Sequence, residues 1–600
     1  MIEIDAEQIR LLERRLSGIG VDRRTLLKIA AAATGSMAAP VLLACGPDTE
    51  DAEPTAVIET TATVYDVGEA TPTPAEGESG GQVWYDLNLY VNPASHDFNA
   101  NLYCGGVPSL WSGLGTFDPD LRAVPDWAER WEPNEDATVW TFFLRKDNTG
   151  FSNGDPVTAE TFRYSWTRML LPDTGAPYAS ILYDVKNAEA VNLQGMDPGS
   201  LGLRTVDEWT FEVEMEGPRG LFPVIASYLA CVPCHPPSVE TNPTNWTDPG
   251  ALGHPVVCNG PFYLTEWEHD VRLVALKNPN HWNAANVKIN RLVVPIIPPE
   301  QGLLPYENDE MDYTIVPGAD LERVREDPQL SNELVRYVFP GIWYLTPQVS
   351  IAPFDDPQVR RAVSQAIDRQ RLMELVDGQG QAATGLMPPG IFGHFDDEEI
   401  VGIQRFDPAA AIEHLAGTPY EGGTNWPEIT LSLRREPYDS LTMAEDIAAQ
   451  LQENLNMNVA IAVMEPQDFL RSLWDHTLQL VFIRWFFDYP DPNNGYFDIF
   501  YSGRETGSRQ AWGSQEYDAL TIEAKEEVNP ERRLALYRQC EMILQEEVAY
   551  IPATYFVFHY LFKPWCQGLP VNSDGFVVPN GNIFVRMHSY VYVEGRPESS

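Results

Sequence analysis

Arg484-Trp485-Phe486-Phe487-Asp488-Tyr489-Pro490-Asp491-Pro492-Asn493-Asn494 is the stretch whose residue types point most directly to chemistry, and it follows an apolar run, Leu478 to Ile483, that reads as a strand. A strand ending in aromatics supplies apolar walls and backbone hydrogen-bonding groups. A carboxylate among them can pair with an ammonium, and the prolines stop the chain. Such a segment suits ligand capture, and a core strand followed by an ordinary acidic turn is the other reading of it. Cys231-Val232-Pro233-Cys234-His235 has the Cys-x-x-Cys-His spacing in which two thiols bond a porphyrin and the histidine binds iron. It occurs once and Pro236-Pro237 follows at once, so a disulfide to Cys258 or plain buried thiols describe it better. His235, His254 and His269 lie close in sequence, but their spacing suits no metal. The chain has no G-x-S-x-G elbow, no phosphate loop ending in Gly-Lys-Ser/Thr, no H-E-x-x-H and no paired Cys-x-x-Cys knuckle. Carboxylates are so numerous that an acid pair carries no glycosidase signal. No catalyst, metal or cofactor is expected.

These residues need a large α/β body to position them. Val139–Leu144 and Trp209–Met215 alternate like strands, and 158–170 has helical spacing. Helical patterns return at 357–376, 441–455 and 530–547, separated by strands at Ile429–Leu433, Val459–Val463 and Leu478–Ile483. Six hundred residues imply several domains, and 44% hydrophobic with 11% aromatic residues can fill their cores. A formal net charge of −47 repels phosphate backbones and anionic headgroups, which excludes nucleic acid and basic-patch membrane binding.

The N-terminus reads as an address. Asp22-Arg23-Arg24-Thr25-Leu26-Leu27-Lys28 before the apolar Ile29 to Leu43 has the form of a twin-arginine export signal, and Leu42-Leu43-Ala44-Cys45 that of a lipoprotein cleavage site, with Cys45 the lipidated residue. About fifteen apolar residues interrupted by Gly35 and Pro40 fall short of the roughly 20 needed to span a bilayer. Residues 46–80, rich in acids, Thr, Pro and Gly, read as a disordered tether. Beyond Cys45, the six cysteines 104, 231, 234, 258, 540 and 566 permit disulfides outside the cytoplasm, with the pairing open.

A series of ordered motifs then extends the pattern along the chain: Phe151-Ser152-Asn153-Gly154-Asp155-Pro156-Val157, Ala176-Pro177-Tyr178-Ala179-Ser180, Asn259-Gly260-Pro261-Phe262-Tyr263, Lys277-Asn278-Pro279-Asn280-His281-Trp282, Ala352-Pro353-Phe354-Asp355-Asp356-Pro357 and Lys563-Pro564-Trp565. Together with 484–494 they resemble the family 5 extracellular solute-binding proteins of peptide ABC importers, from about residue 82 to the C-terminus. The resemblance implies a two-lobed, type II periplasmic-binding-protein-like clamp with an additional inserted small domain. Lobe I would comprise 82–110, 223–335 and 566–600, the inserted domain 111–222, and lobe II 336–565. It also implies an oligopeptide ligand lying extended between the lobes and a monomeric working unit that docks on an ABC permease with its ATPase subunits. Its place would be extracytoplasmic, anchored to the cell membrane by the N-terminal lipid, in a periplasmic space or on an outer face. Carried over singly, Asp488 receives the peptide ammonium, Arg484 and Phe486 offer main-chain groups, Trp485 lines a side-chain pocket, and Tyr178, Tyr344 and Tyr555 contact ligand. Where relatives carry basic residues this chain has Phe482 and Leu473, which leaves Arg434, Arg435 or Arg484 to meet a carboxylate. The same clamp in relatives holds nickel chelates, haem or sugars, so a non-peptide solute is the alternative, with an exported hydrolase behind it.

Overall fold

The computed structural model describes residues 81–86, 92–101, 106–376, 378–435, 440–503, 510–579 and 585–597. The export address, the tether, Cys45 and Cys104 lie outside the described residues.

Several helices start at an acid or amide followed by proline. Asp356, Asp407 and Asp491 each accept backbone N–H groups of the first turn, from Gln358, from Ala409 and Ala410, and from Asn493, while Pro357, Pro408 and Pro492 take the first helical position. The side chain satisfies donors that the helix leaves open, and proline costs nothing where no intrahelical bond is due. Thr158 and Thr161 cap Ala159–Leu170 reciprocally. The helical pattern expected over 357–376 is two helices, Pro357–Gln365 and Arg369–Leu375. Asp368 breaks it by turning to cap the second, accepting from Gln370 and Arg371.

The strands form three main sheets. One has the order Gln82–Tyr85, Ile289–Pro295, Arg272–Lys277, Phe262–Glu268. A second, fully antiparallel, runs Ala128–Pro133, Val139–Leu144, Thr210–Glu214, Leu203–Asp207. The third is mixed and seven-stranded: Tyr313–Ile315, Ile551–Phe562, Leu334–Pro347, Leu480–Phe486, Ile429–Arg434, Val459–Met464, with Gly380–Ala382 also on Ile551–Phe562. Side chains alternate across its faces. Trp343, Leu345, Phe482, Leu431 and Leu433 pack on one side with Val359, Val363, Leu372, Ile447 and Leu451 of three helices. Ile342, Tyr344, Ile483 and Trp485 belong to the core on the other side, with Phe469, Tyr496, Phe500, Tyr537 and Leu544.

Leu334–Pro347 and Ile551–Phe562 run antiparallel along one another, and the division expected between 335 and 336 falls inside the first of them. Their ladder passes from Val338↔Val557 to Ile342↔Tyr555, so Phe339, Pro340 and Gly341 bulge opposite Phe556. The Ala128–Glu214 region meets the Gln515–Glu526 helix where Lys525 Nζ and Arg219 Nε each lie 2.9 Å from Asp184 Oδ1. Gly220 presses against the Glu527 carbonyl there; a Cβ would lie 2.0 Å from that oxygen.

Three buried histidines make the body acid-sensitive. His96 is 0% exposed, packs edge-on to Trp267, and has no hydrogen-bond partner at either ring nitrogen. Burial holds its pKa down at about 3, against a smaller opposing pull from Asp248. Burial likewise lowers His281 to about 4, Arg586 and Arg145 adding to it against Asp126, and lowers His559 to about 4, helped by Arg325 and Arg336. Unfolded histidine titrates near 6.5, so the unfolded chain binds more protons below that pH, and the stability these groups contribute above it is lost as pH falls towards 4 and below. Each costs about 1.4 kcal/mol per pH unit once the unfolded side chain is protonated. Denaturant titrations from pH 7 to 4.5 should show a smaller loss in His96→Phe than in the parent; equal slopes would mean that His96 does not titrate on unfolding.

Candidate ligand-binding site

The Leu480–Phe486 strand lies inside the seven-stranded sheet, paired antiparallel with Leu334–Pro347 and parallel with Ile429–Arg434. The rungs Ile342↔Trp485 and Ile342↔Tyr555 set Trp485, Ile342 and Tyr555 side by side across three strands, and Tyr344↔Ile483 places Tyr344 two residues along the same face. The sheet thus sets Trp485, Tyr344 and Tyr555 on one face and Arg484 with Phe486 on the other, and Asp488 follows in the turn past the strand. Tyr178 sits elsewhere in the chain, before the one-turn helix Ala179–Leu182, with its ring edge-on to Tyr228 at 5.7 Å.

Past Phe486 the chain turns, and Asp488 is half-buried at the turn. Asn494 holds it. Its side-chain oxygen accepts from the Asp488 N–H at 2.9 Å and from the Trp485 indole at 3.0 Å, while its amide nitrogen donates to Asp498 Oδ2 at 3.0 Å and approaches Asp488 Oδ2 at 3.5 Å. One amide therefore fixes the aromatic wall and the carboxylate relative to each other. Beneath it, Tyr489 donates to Asp498 at 2.8 Å and accepts from Asn493 Nδ2 at 2.7 Å. Burial, reinforced by Asp498, pushes the Tyr489 phenol well above its ordinary range.

This turn is fastened to the body by a buried ion pair. Asp491 caps the Pro492–Phe500 helix and grips Arg533 with both oxygens, one at 2.6 Å; Arg533 also donates to the Ala524 carbonyl at 3.2 Å and to Tyr537 at 3.2 Å. Burial opposes the guanidinium charge, and the Asp491 carboxylate outweighs it and holds Arg533 above its ordinary pKa.

The other expected residues are placed as follows. Arg484 faces the side of the sheet opposite Trp485, its guanidinium carbon 4.3 Å from the Phe486 ring centre. Tyr344 is buried against Phe500 and Tyr550. The Tyr555 hydroxyl donates to the Gly385 carbonyl at 2.9 Å and accepts from the N–H groups of Gly385 and Thr384, anchoring that loop; burial raises its pKa to about 12. Asn494 was not singled out from sequence. The signal was there: Asp491 as cap and Pro492 at the first helical position put Asn494 third, in the first turn, where a side chain reaches back towards the strand.

The Cys-x-x-Cys-His segment is core. Cys231, Cys234 and Cys258 are buried free thiols, as are Cys540 and Cys566. Burial pushes Cys234 and Cys258 up to about 12. His235 spends both ring nitrogens, on Asp155 at 2.8 Å and Ser238 at 2.7 Å. Among the described residues no group of three His, Cys, Asp or Glu is placed to hold a metal ion, and no helix is long and apolar enough to cross a membrane.

Residues 122–507, more than half of the chain, match the family model of the bacterial extracellular solute-binding proteins, family 5 (middle region). The dipeptide-binding protein DppE of Bacillus subtilis is 28% identical over 505 residues, covering 82% of this chain and 90% of that protein. The periplasmic oligopeptide-binding protein OppA of Escherichia coli is 29% identical over 479 residues, covering 77% and 86%. Among solved structures, the unliganded open form of the murein tripeptide-binding protein MppA superposes with a TM-score of 0.73 at 24% identity, over 86% of this chain and 98% of that one. The mixed α/β fold is that of the two-lobed periplasmic binding proteins.

Proposed function

The chain belongs to the bacterial extracellular solute-binding proteins of family 5, and from that premise we propose that it captures short peptides between its lobes outside the cytoplasm and delivers them to an ABC permease and its ATPase subunits. The observation that carries the reading is Asp488, a half-buried carboxylate fixed by Asn494 beside the Trp485 wall at the end of a central strand. Such a group pairs with a free α-ammonium. Main-chain groups of Arg484 and Phe486 align the peptide backbone as an added strand, Trp485 lines a side-chain pocket, and Tyr344, Tyr178 and Tyr555 complete the walls. Affinity that comes from backbone pairing tolerates many sequences. The names of the curated relatives, dipeptide- and oligopeptide-binding, support the ligand class.

In this reading 82–110, 223–335 and 566–600 form lobe I, 111–222 the inserted domain and 336–565 lobe II. The protein works as a monomer without catalysis, tethered by 46–80 to a lipid on Cys45. The soluble form lacking residues 1–45, purified from cells and compared by native and denaturing mass spectrometry, should release a ladder of short peptides of mixed sequence. A single non-peptide species, such as a sugar or a metal chelate, would overturn the peptide assignment.

A further inference from the structure

We infer that the chain carries a second site, apart from the Asp488 turn, in which Arg325, Arg336 and His559 bind a small tetrahedral oxyanion, inorganic phosphate or sulfate. With 87 acidic against 40 basic residues, carboxylates are within easy reach of most cations of this chain. Arg323 follows that pattern, meeting Glu307 at 2.7 Å and Asp320 at 3.4 Å. Arg325, two residues on in the same Gly318–Glu326 helix, and Arg336, in the Leu334–Pro347 strand, pair with no carboxylate among the described residues.

Three elements bring these cations together. Arg336 and His559 are direct partners in the antiparallel ladder between Leu334–Pro347 and Ile551–Phe562, so their side chains leave the sheet on the same face with Cβ atoms about 5 Å apart. Arg325 comes over from its helix onto the turn before the Gly380–Ala382 strand. Gly378 makes the room there: it stands at φ +78°, and a Cβ on it would lie 2.5 Å from Arg325 Nη2. Gln381, in that edge strand, accepts from Arg336 Nη2 at 2.8 Å and so fixes the direction of the guanidinium.

His559 is 3% exposed, and its Nδ1 has no hydrogen-bond partner. Burial lowers its pKa to about 4, with Arg325 and Arg336 adding to the effect, and burial alone lowers that of Arg336. Positive charge is thus gathered beside a buried imidazole and left uncompensated. An oxyanion supplies what is missing. Guanidinium groups match its oxygens through paired N–H donors, and a neutral imidazole adds one more from Nδ1, a donor that is costly to leave unmatched in the interior. Along the strand pair, the Phe339-Pro340-Gly341 bulge separates this cluster from Ile342, whose rungs hold Trp485 and Tyr555. The anion site is therefore distinct from the row that leads to Asp488.

The test is calorimetric titration with sodium phosphate and with sodium sulfate, at an ionic strength held constant with sodium chloride, on the parent and on R325Q, R336Q and R435Q. Arg325 and Arg336 are both exposed, so their replacement should leave the fold intact. The parent should bind a single phosphate or sulfate. Loss of a charge-assisted hydrogen bond predicts binding weakened by about tenfold or more in R325Q and in R336Q. R435Q should bind as the parent does, because Arg435 faces Glu465 in a pair with both side chains 65% exposed. A parent that binds neither anion, which needs no variant to fold, overturns the inference. So does binding that survives both R325Q and R336Q, or that R435Q weakens as much as they do.

Discussion

Asp488→Ala is expected to lower peptide affinity by about two to four decades while the protein still unfolds cooperatively near the parent's midpoint. A bound α-ammonium beside Trp485 has exchanged water for the Asp488 carboxylate, and removing the carboxylate leaves a desolvated cation with nothing to compensate it. Breaking such a pair costs about 3 to 5 kcal/mol, which is the range quoted in affinity terms. The fold should tolerate the change, because Asn494 contacts the backbone N–H of residue 488 and the Trp485 indole, both of which remain. N-acetylated peptides give the mirror experiment. Acetylation should cost the parent about as much as the mutation does and should cost the variant almost nothing more, since the two changes remove one interaction. Calorimetry showing tight binding of free-amine peptides to Asp488→Ala would place ammonium capture elsewhere.

The largest loss of stability is expected at Arg533. Arg533→Met leaves Asp491, itself almost fully buried, as an uncompensated anion, and unfolding free energy should fall by about 3 to 5 kcal/mol. Asp491→Ala should cost at least as much, because the Pro492–Phe500 helix loses its cap as well, worth about 1 kcal/mol. Removing both charges together should cost less than the sum, since the burial penalty disappears with them. The denaturant midpoint of each variant measures this. The pair lies under the helix that carries Asn494, so both single variants should also bind peptide more weakly than their stability alone accounts for; unchanged affinity would mean that Asn494 keeps its place without the pair.

The strands and helices were legible where one force dominated. Val139–Leu144 and Pro530–Glu547 match their patterns residue for residue because alternation or helical spacing continues to their ends. The two helices within 357–376 were read as one because their apolar spacing is continuous, while the break is set by a single capping aspartate that periodicity does not register. At the site, the aromatic and acidic residues of 484–488 declared themselves by type. Asn494 did not, because an amide acquires its role from the helix start that aims it, and sequence gave no sign that the Tyr555 hydroxyl bonds the Thr384–Gly385 backbone. Nor could sequence assign Arg434, Arg435 and Arg484 to their faces of the sheet. Adjacent residues on a strand face opposite sides, and only the register shows which side is which.

The bulge at Phe339-Pro340-Gly341 ties the ends of two strands together. It interrupts the long strand pair at the point where Gly341 stands opposite Phe486 and the Pro340 carbonyl accepts from the Phe487 N–H at 3.0 Å. Gly341 has no room for a side chain, since a Cβ would lie 2.5 Å from the Phe486 ring and 3.0 Å from that of Phe556. A backbone hydrogen bond and close ring packing therefore couple this bulge to the end of the Leu480–Phe486 strand, so any side chain forced in at Gly341 is felt at the turn that carries Asp488.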